Sequence, residues 1–163
     1  MLPQIKKILY STDLKEEEGG DDAFRMAVSM AMSHDAQLVV MHVMESISSA
    51  MMGILSNSMS QEEIDAFKTS GYENLKAQLQ KRLDDFCEQE CPNDDHTYPG
   101  GEPITIVVEG EPHERILEQA KKNEVDLIIM GTRTHTEIGQ FFLGSVANKV
   151  IHHSKVPVMV YPL

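Results

Sequence analysis

The chain has 163 residues, 41% of them hydrophobic, and a formal net charge of −12. That length suits one domain with a single core over residues 1–163, and the apolar share excludes a disordered or fibrous chain. The acidity excludes a general nucleic-acid surface, which needs clustered Lys and Arg, and disfavours contact with anionic lipid.

Residues 5–12, Ile-Lys-Lys-Ile-Leu-Tyr-Ser-Thr, read as a first strand. Phe24, Ala27, Val28, Ala31 and Met32 then recur at helical spacing, so a first helix presents that stripe to a sheet. Residues 37–44 form a nearly continuous apolar run, the pattern of a parallel strand covered on both faces. Residues 45–60 are weakly patterned and read as a mobile connection with apolar anchors. Met51, Met52 and Met59 within it fit either packing over a crevice or an adaptable partner surface. Ser60 and Glu63 form a capping box ahead of a long helix. Ile64, Phe67, Leu75, Leu79, Leu83 and Phe86 mark its expected buried side, and Gly71 is its weak point.

Residues 92–101 are turn-rich and predict a surface loop. A third strand follows over 104–108. Gly110-Glu-Pro-His113 then turns into a helix carrying Ile116, Leu117 and Ala120. Residues 125–130 predict a fourth strand, and Val146, Val150 and Ile151 mark the core side of the last helix. Residues 156–161 form a final strand, apolar on both faces. Strands alternating with helices predict an α/β fold, an open parallel sheet with helices on both faces.

Several polar features have modest readings. Cys87 and Cys91 fit a redox pair, a metal site completed by His96, or two reduced thiols near a helix end; zinc would want a second recognisable ligand pair, and its absence favours the reduced thiols. Glu16, Glu17, Glu18, Asp21 and Asp22 solvate a turn and favour the first helix's N-terminus. His152 and His153 suit a helix C-terminus, and His113 reads as a surface or capping residue. No stretch is long and apolar enough to span a bilayer, and the first residues lack an apolar signal segment, so the expected location is cytoplasmic.

Open parallel sheets bind ligands beyond the carboxyl ends of their strands, where strand order reverses. Two predicted strand ends carry polar punctuation: Ser11-Thr12-Asp13, and the segment 131–146, Gly-Thr-Arg-Thr-His-Thr-Glu-Ile-Gly-Gln-Phe-Phe-Leu-Gly-Ser-Val. The strand-to-helix loop inside it, about a dozen residues long, exceeds the usual connection and points to function or disorder. Gly131 permits close backbone approach or a positive φ. Gly144 lets the helix N-terminus come near an anion, and Ser145 offers a hydroxyl as donor or N-cap. The anion expected there is the phosphate tail of a nucleotide. Neither the Walker A ending Gly-Lys-Ser/Thr nor a Rossmann Gly-x-Gly-x-x-Gly after the first strand is present. Asp13 fits both ligand contact and turn capping, and Arg133 fits both a bidentate phosphate contact and solvation. No nucleophile–base pair or carboxylate dyad is visible, which favours a binding module over an enzyme.

Residues 131–145 resemble the universal stress protein family, whose nucleotide-binding members carry Gly-x2-Gly-x9-Gly-Ser/Thr. Gly131 matches the first glycine and Gly144-Ser145 the end of the motif. The similarity extends along nearly the whole chain, through residues 7–13, 41–43, 110–116, 125–131 and 156–160. It implies a Rossmann-like, adenine nucleotide alpha hydrolase-like fold with five parallel strands. It also implies a stress-response module that binds ATP or a related adenine nucleotide and forms a homodimer through residues 156–161. By position it implies that Asp13 and the Val43 backbone, beside Ser11, hold adenine and ribose. Gly131, Thr132, Arg133, Thr134, Gly144, Ser145 and Val146 would hold the phosphates, with Mg²⁺ or Mn²⁺ bridging phosphate oxygens. Two departures stand out: Ser11 replaces a frequent proline, and Thr134 replaces the second glycine. A β-branched residue tolerates positive φ poorly. Two alternatives therefore stand beside the binding module, a nucleotide-independent interaction protein and a slow ATP hydrolase.

Overall fold

The computed structural model describes residues 2–13, 20–90, 98, 100–132 and 143–163. Among them the elements run β1 (Lys7–Ser11), α1 (Gly20–His34), β2 (Gln37–Met44), α2 (Ser49–Ser58), α3 (Gln61–Glu90), β3 (Ile104–Glu109), α4 (Pro112–Lys122), β4 (Leu127–Thr132), α5 (Ser145–His153) and β5 (Val158–Pro162). All five strands are parallel, in the order β3-β2-β1-β4-β5. The chain therefore winds outward from β1 in one direction through β2 and β3, and in the other through β4 and β5. That reversal is the predicted switch point, and it lies between β1 and β4.

The central strands lack polar alternation because both faces are covered. Ile8, Leu38, Val40, Leu127 and Ile129 pack with the α1 stripe Phe24, Ala27, Val28 and Ala31 and with Leu79 and Leu83 of α3. Leu9, Val39, Met41, Ile128 and Met130 pack on the other face with Ile116 and Ala120 of α4 and Ala147 and Val150 of α5. Each such Val, Leu, Ile, Phe or Met side chain contributes roughly 1.5–3 kcal/mol through burial, so the two layers fix the sheet from both sides.

The α3 capping box forms as expected. The Ser60 N–H donates to Glu63 Oε2 at 2.7 Å, and the Glu63 N–H donates to Ser60 Oγ at 3.3 Å. The bond from the Ser60 backbone, followed by that to its side chain, holds the Glu63 carboxyl below its usual range. Gly71 does not interrupt the helix.

Four expectations need correction. Residues 45–60 are not a plain connection: they contain α2, whose N-cap Ser48 accepts the Met51 N–H at 3.2 Å. Phe67 is 62% exposed, although helical spacing places it beside Ile64. A helix of α3's length extends about 45 Å, whereas a six- to eight-residue strand extends about 20–27 Å, so its first turns overhang the sheet. Ile64 is buried outside both sheet-face clusters, as that overhang requires. Ile151 is 41% exposed, because Ala147 and Val150 fill the sheet-facing side of α5. Finally, β4 runs one residue past Gly131 to Thr132, and β5 begins at Val158. The Phe86 side chain lies outside the described residues, as do the Cys87 side chain, Cys91, His96 and Glu16 to Glu18.

These contrasts are measurable. Leu79→Ala should lower unfolding stability by about 2–4 kcal/mol, whereas Phe67→Ala should stay within about 0.5 kcal/mol; equal losses in urea titrations would contradict the overhang. Because the folded Glu63 carboxyl is held low, its contribution is present above the unfolded carboxyl pKa and is lost as pH falls through the folded one. Glu63→Gln keeps an acceptor but does not titrate, so its stability should fall less steeply than that of the unmodified protein below pH 4.5.

Candidate nucleotide cleft

Strand register brings the two polar strand ends together. Ser11 sits opposite both Met41 of β2 and Met130 of β4. Two residues further on, Asp13 is level with Val43 on one side and Thr132 on the other. A cleft of about 650 Å³ opens at this point, and Ser11, Asp13, Val43, Gly131, Thr132 and Ser145 line it. Gly144 and Val146 line it as well. Eight of the ten residues singled out in the sequence thus meet in one crevice; Arg133 and Thr134, like His135, lie outside the described residues.

A hydrogen bond joins the helix end at this cleft to β4. The Gly144 N–H donates to Thr132 Oγ1 at 2.8 Å, and Thr132 is only 6% exposed. The hydroxyl pins the start of α5 to the end of β4, twelve residues away in the chain. Gly144 is the N-cap, with φ −54, and among the described residues no side chain caps the helix. Ser145 is the first helical residue, and this corrects its reading as an N-cap. The N–H groups of Ser145, Val146 and Ala147 precede the first intrahelical bond, from Asn148 N–H to Gly144 O at 2.9 Å. They form the partly positive end of the helix, where an anion gains roughly 0.3–1 kcal/mol and more when water is excluded.

The two motif glycines serve close packing and not a special φ. A Cβ on Gly144 would stand 3.0 Å from Thr132 Oγ1, and one on Gly131 would stand 2.8 Å from the Leu163 side chain. Neither residue is among those with positive φ.

Residues with little sequence signal complete the cleft. Leu163 donates its N–H to Thr132 O at 2.9 Å and lies over Gly131. His42 lines the wall, with Nδ1 2.9 Å from Thr12 O. A carbonyl only accepts, so Nδ1 carries the proton. The Thr12 N–H in turn donates to Met41 O at 3.0 Å, and the two bonds fasten the ends of β1 and β2 side by side. His42 was legible as a polar interruption of an apolar strand; Leu163 had no comparable signal.

The electrostatics of the lining are unusual for an anion site. Asp13 and Glu45 bring carboxylates, and no Lys or Arg is among the described lining residues. Beside the cleft, Glu111 accepts from His113 Nδ1 at 3.1 Å and from Lys149 Nζ at 3.4 Å, tying the start of α4 to α5. The His113 bond leads in holding the Glu111 carboxyl below its usual range. His152 and His153 donate from Nδ1 to Asn148 O and Lys149 O, both at 2.8 Å, which is the helix-terminal role expected of them. Among the described residues, no three His, Cys, Asp or Glu side chains converge as metal ligands.

The sequence profile of the universal stress protein family matches residues 4–162. The chain belongs to the universal stress protein family. It is 30% identical to the universal stress protein MJ0577 of Methanocaldococcus jannaschii over 171 aligned positions, covering 98% of this chain and 96% of that one. The solved MJ0577 structure superposes with a TM-score of 0.67 at 27% identity, covering 99% and 98% of the two chains. Two further structures share the fold. A universal stress protein in complex with cAMP has a TM-score of 0.60 at 19% identity, covering 98% of each chain. The Archaeoglobus fulgidus universal stress protein in complex with dAMP has a TM-score of 0.52 at 18% identity, covering 95% and 96%. Among the described residues of this family member, no helix is long and apolar enough to cross a membrane.

The Thr132–Gly144 contact yields a direct test. Thr132→Val preserves shape but leaves the Gly144 N–H without its acceptor, which should cost about 1–3 kcal/mol. Amide exchange at Ser145 and Val146 should accelerate in that variant. Unchanged exchange would mean that the hydroxyl does not anchor the helix.

Proposed function

We propose that the protein binds ATP or a related adenine nucleotide in the cleft between β1 and β4 and acts as a nucleotide-responsive stress-response module. The observation that carries this reading is the convergence of Asp13 and Val43 in one cleft with the N-terminus of α5, which no described side chain caps. The first pair suits a nucleoside, whose amine and hydroxyls donate to a carboxylate and whose base packs on an apolar wall. Ser145 and Val146, reached through Gly131, Thr132 and Gly144, suit the phosphates. Arg133 and Thr134 belong to the proposed phosphate loop by their place in the motif. Two proteins of this fold in complex with cAMP and dAMP support the choice of an adenine nucleotide.

A triphosphate entering beside Asp13 and Glu45 requires countercharge, and a divalent cation supplies it through the phosphate oxygens. Mg²⁺ or Mn²⁺ would thus arrive with the nucleotide, held by phosphates, with the Ser145 hydroxyl and Asp13 as nearby oxygen donors. Among the described lining residues no group is placed as a nucleophile with its base, which favours a regulator over an efficient enzyme. The edge strand β5 pairs only with β4 and is half-buried from Val158 to Tyr161. Pairing with a second copy along this edge would cover it, giving a homodimer through residues 156–161.

Two measurements check this. Heat-denatured protein should release adenine nucleotide, and added ATP with Mg²⁺ at 100 times Kd should stabilise the fold by about 2.7 kcal/mol. Gly144→Asp places a carboxylate at the phosphate seat and should abolish the effect. A clean supernatant with no thermal shift contradicts the proposal. Chelating Mg²⁺ should weaken ATP binding by at least ~10-fold, about 1.4 kcal/mol; equal affinity with and without the metal would overturn the countercharge argument.

A further inference from the structure

The helix α2 has no buried residue, although it carries Met51, Met52, Ile54 and Leu55 and no ionisable side chain. Its polar residues lie at the two ends, and an uncharged apolar stretch like residues 50–55 between them is ordinarily buried. Here Met52, Leu55 and Met59 are half-buried, while Met51 is 50% and Ile54 62% exposed. Phe67, on the overhanging part of α3, adds a third large side chain at 62% exposure. A ten-residue helix is marginal alone, and α2 is held by its Ser48 cap and sparse contact with α3. Its apolar surface is left for something else to cover.

The surrounding charge says what that is. From Glu45 to Phe67 the chain has four carboxylates (Glu45, Glu62, Glu63 and Asp65) and no Lys, Arg or His. All four are exposed. We propose that Met51, Ile54 and Phe67 form a docking surface for a basic amphipathic helix of a partner protein, with its apolar face on the methionines and its Lys and Arg side chains over the acidic rim. Unbranched methionines adapt to varied apolar partners, and the helix-in-groove mode reads anchors at i, i+3, i+4 and i+7. An anionic membrane is repelled by the same rim. The surface lies on the β3 side, since α3 packs against β3, and β5 is at the opposite end of the sheet. Pairing along β5 would therefore leave it open.

The test uses the full chain and a synthetic ~18-residue peptide of Leu and Lys with Leu at helical spacing. A scrambled peptide of the same composition is the comparison. The amphipathic peptide should bind at least ~10-fold more tightly than the scrambled one. Ile54→Ser and, separately, Phe67→Ser should each remove most of that difference without lowering thermal stability, whereas Leu2→Ser, at an 87% exposed control position, should not. The double change Glu62→Gln and Asp65→Asn should weaken binding and its salt dependence together. Equal binding of both peptides, or no effect of Ile54→Ser and Phe67→Ser, overturns the proposal. So does an Ile54-dependent self-association or binding to phosphatidylcholine vesicles in place of the peptide.

Discussion

The hydrogen bond from the Gly144 N–H to the buried Thr132 hydroxyl is the contact on which the cleft depends. The sheet sets where β1 and β4 end, but a helix whose N-cap lies twelve residues beyond Thr132 needs a separate anchor. Thr132 supplies it at the level of Asp13 and Val43, and it directs the start of α5 at the crevice. A Cβ on Gly144 would stand 3.0 Å from the same hydroxyl, so a larger residue there would push on the bond. The glycine and threonine are thus two halves of one joint, with Ser145 and Val146 the groups it presents.

Charge shapes what such a joint can hold. In a chain of net charge −12, the proposed phosphate seat would draw, among the described residues, mainly on backbone dipoles. A helix terminus attracts an anion without a buried cation to satisfy when the site is empty. The carboxylates of Asp13 and Glu45 then set a limit on unneutralised charge, which is the physical basis for expecting a divalent metal to accompany a triphosphate. The same acidity rims the uncovered α2, so one compositional bias acts on both surfaces in opposite ways: it restricts anions at the cleft and favours cations at the helix.

Much of this was legible in the residues because strong constraints write plain patterns. Strands covered on both faces become unbroken apolar runs, which is why residues 37–44 and the core of β4 were found nearly to their ends. The Ser60–Glu63 capping box was equally plain, since its chemistry is local. Phe67 and Ile151 misled because helical spacing reports a face and not how far the sheet extends beneath it. The helix α2 was missed for a related reason: its polar residues, Ser49, Ser56, Asn57 and Ser58, sit at its two ends and mark no amphipathic face. Leu163 reaches Gly131 only through the register of β5 on β4, which no local pattern encodes. The ten candidate site residues came from the switch-point rule and from the resemblance to the universal stress protein family, and eight of them share the crevice. That convergence is geometric, and the ligand is a separate question.

The most direct measurement of the central claim is residue-resolved amide NMR of the full chain during titration with ATP and Mg²⁺. The account predicts saturable shifts at Ser145, Val146 and Ala147 together with Asp13 and Val43, all fitting one dissociation constant. No shifts at the start of α5, or shifts confined to surfaces away from the ends of β1 and β4, would contradict it.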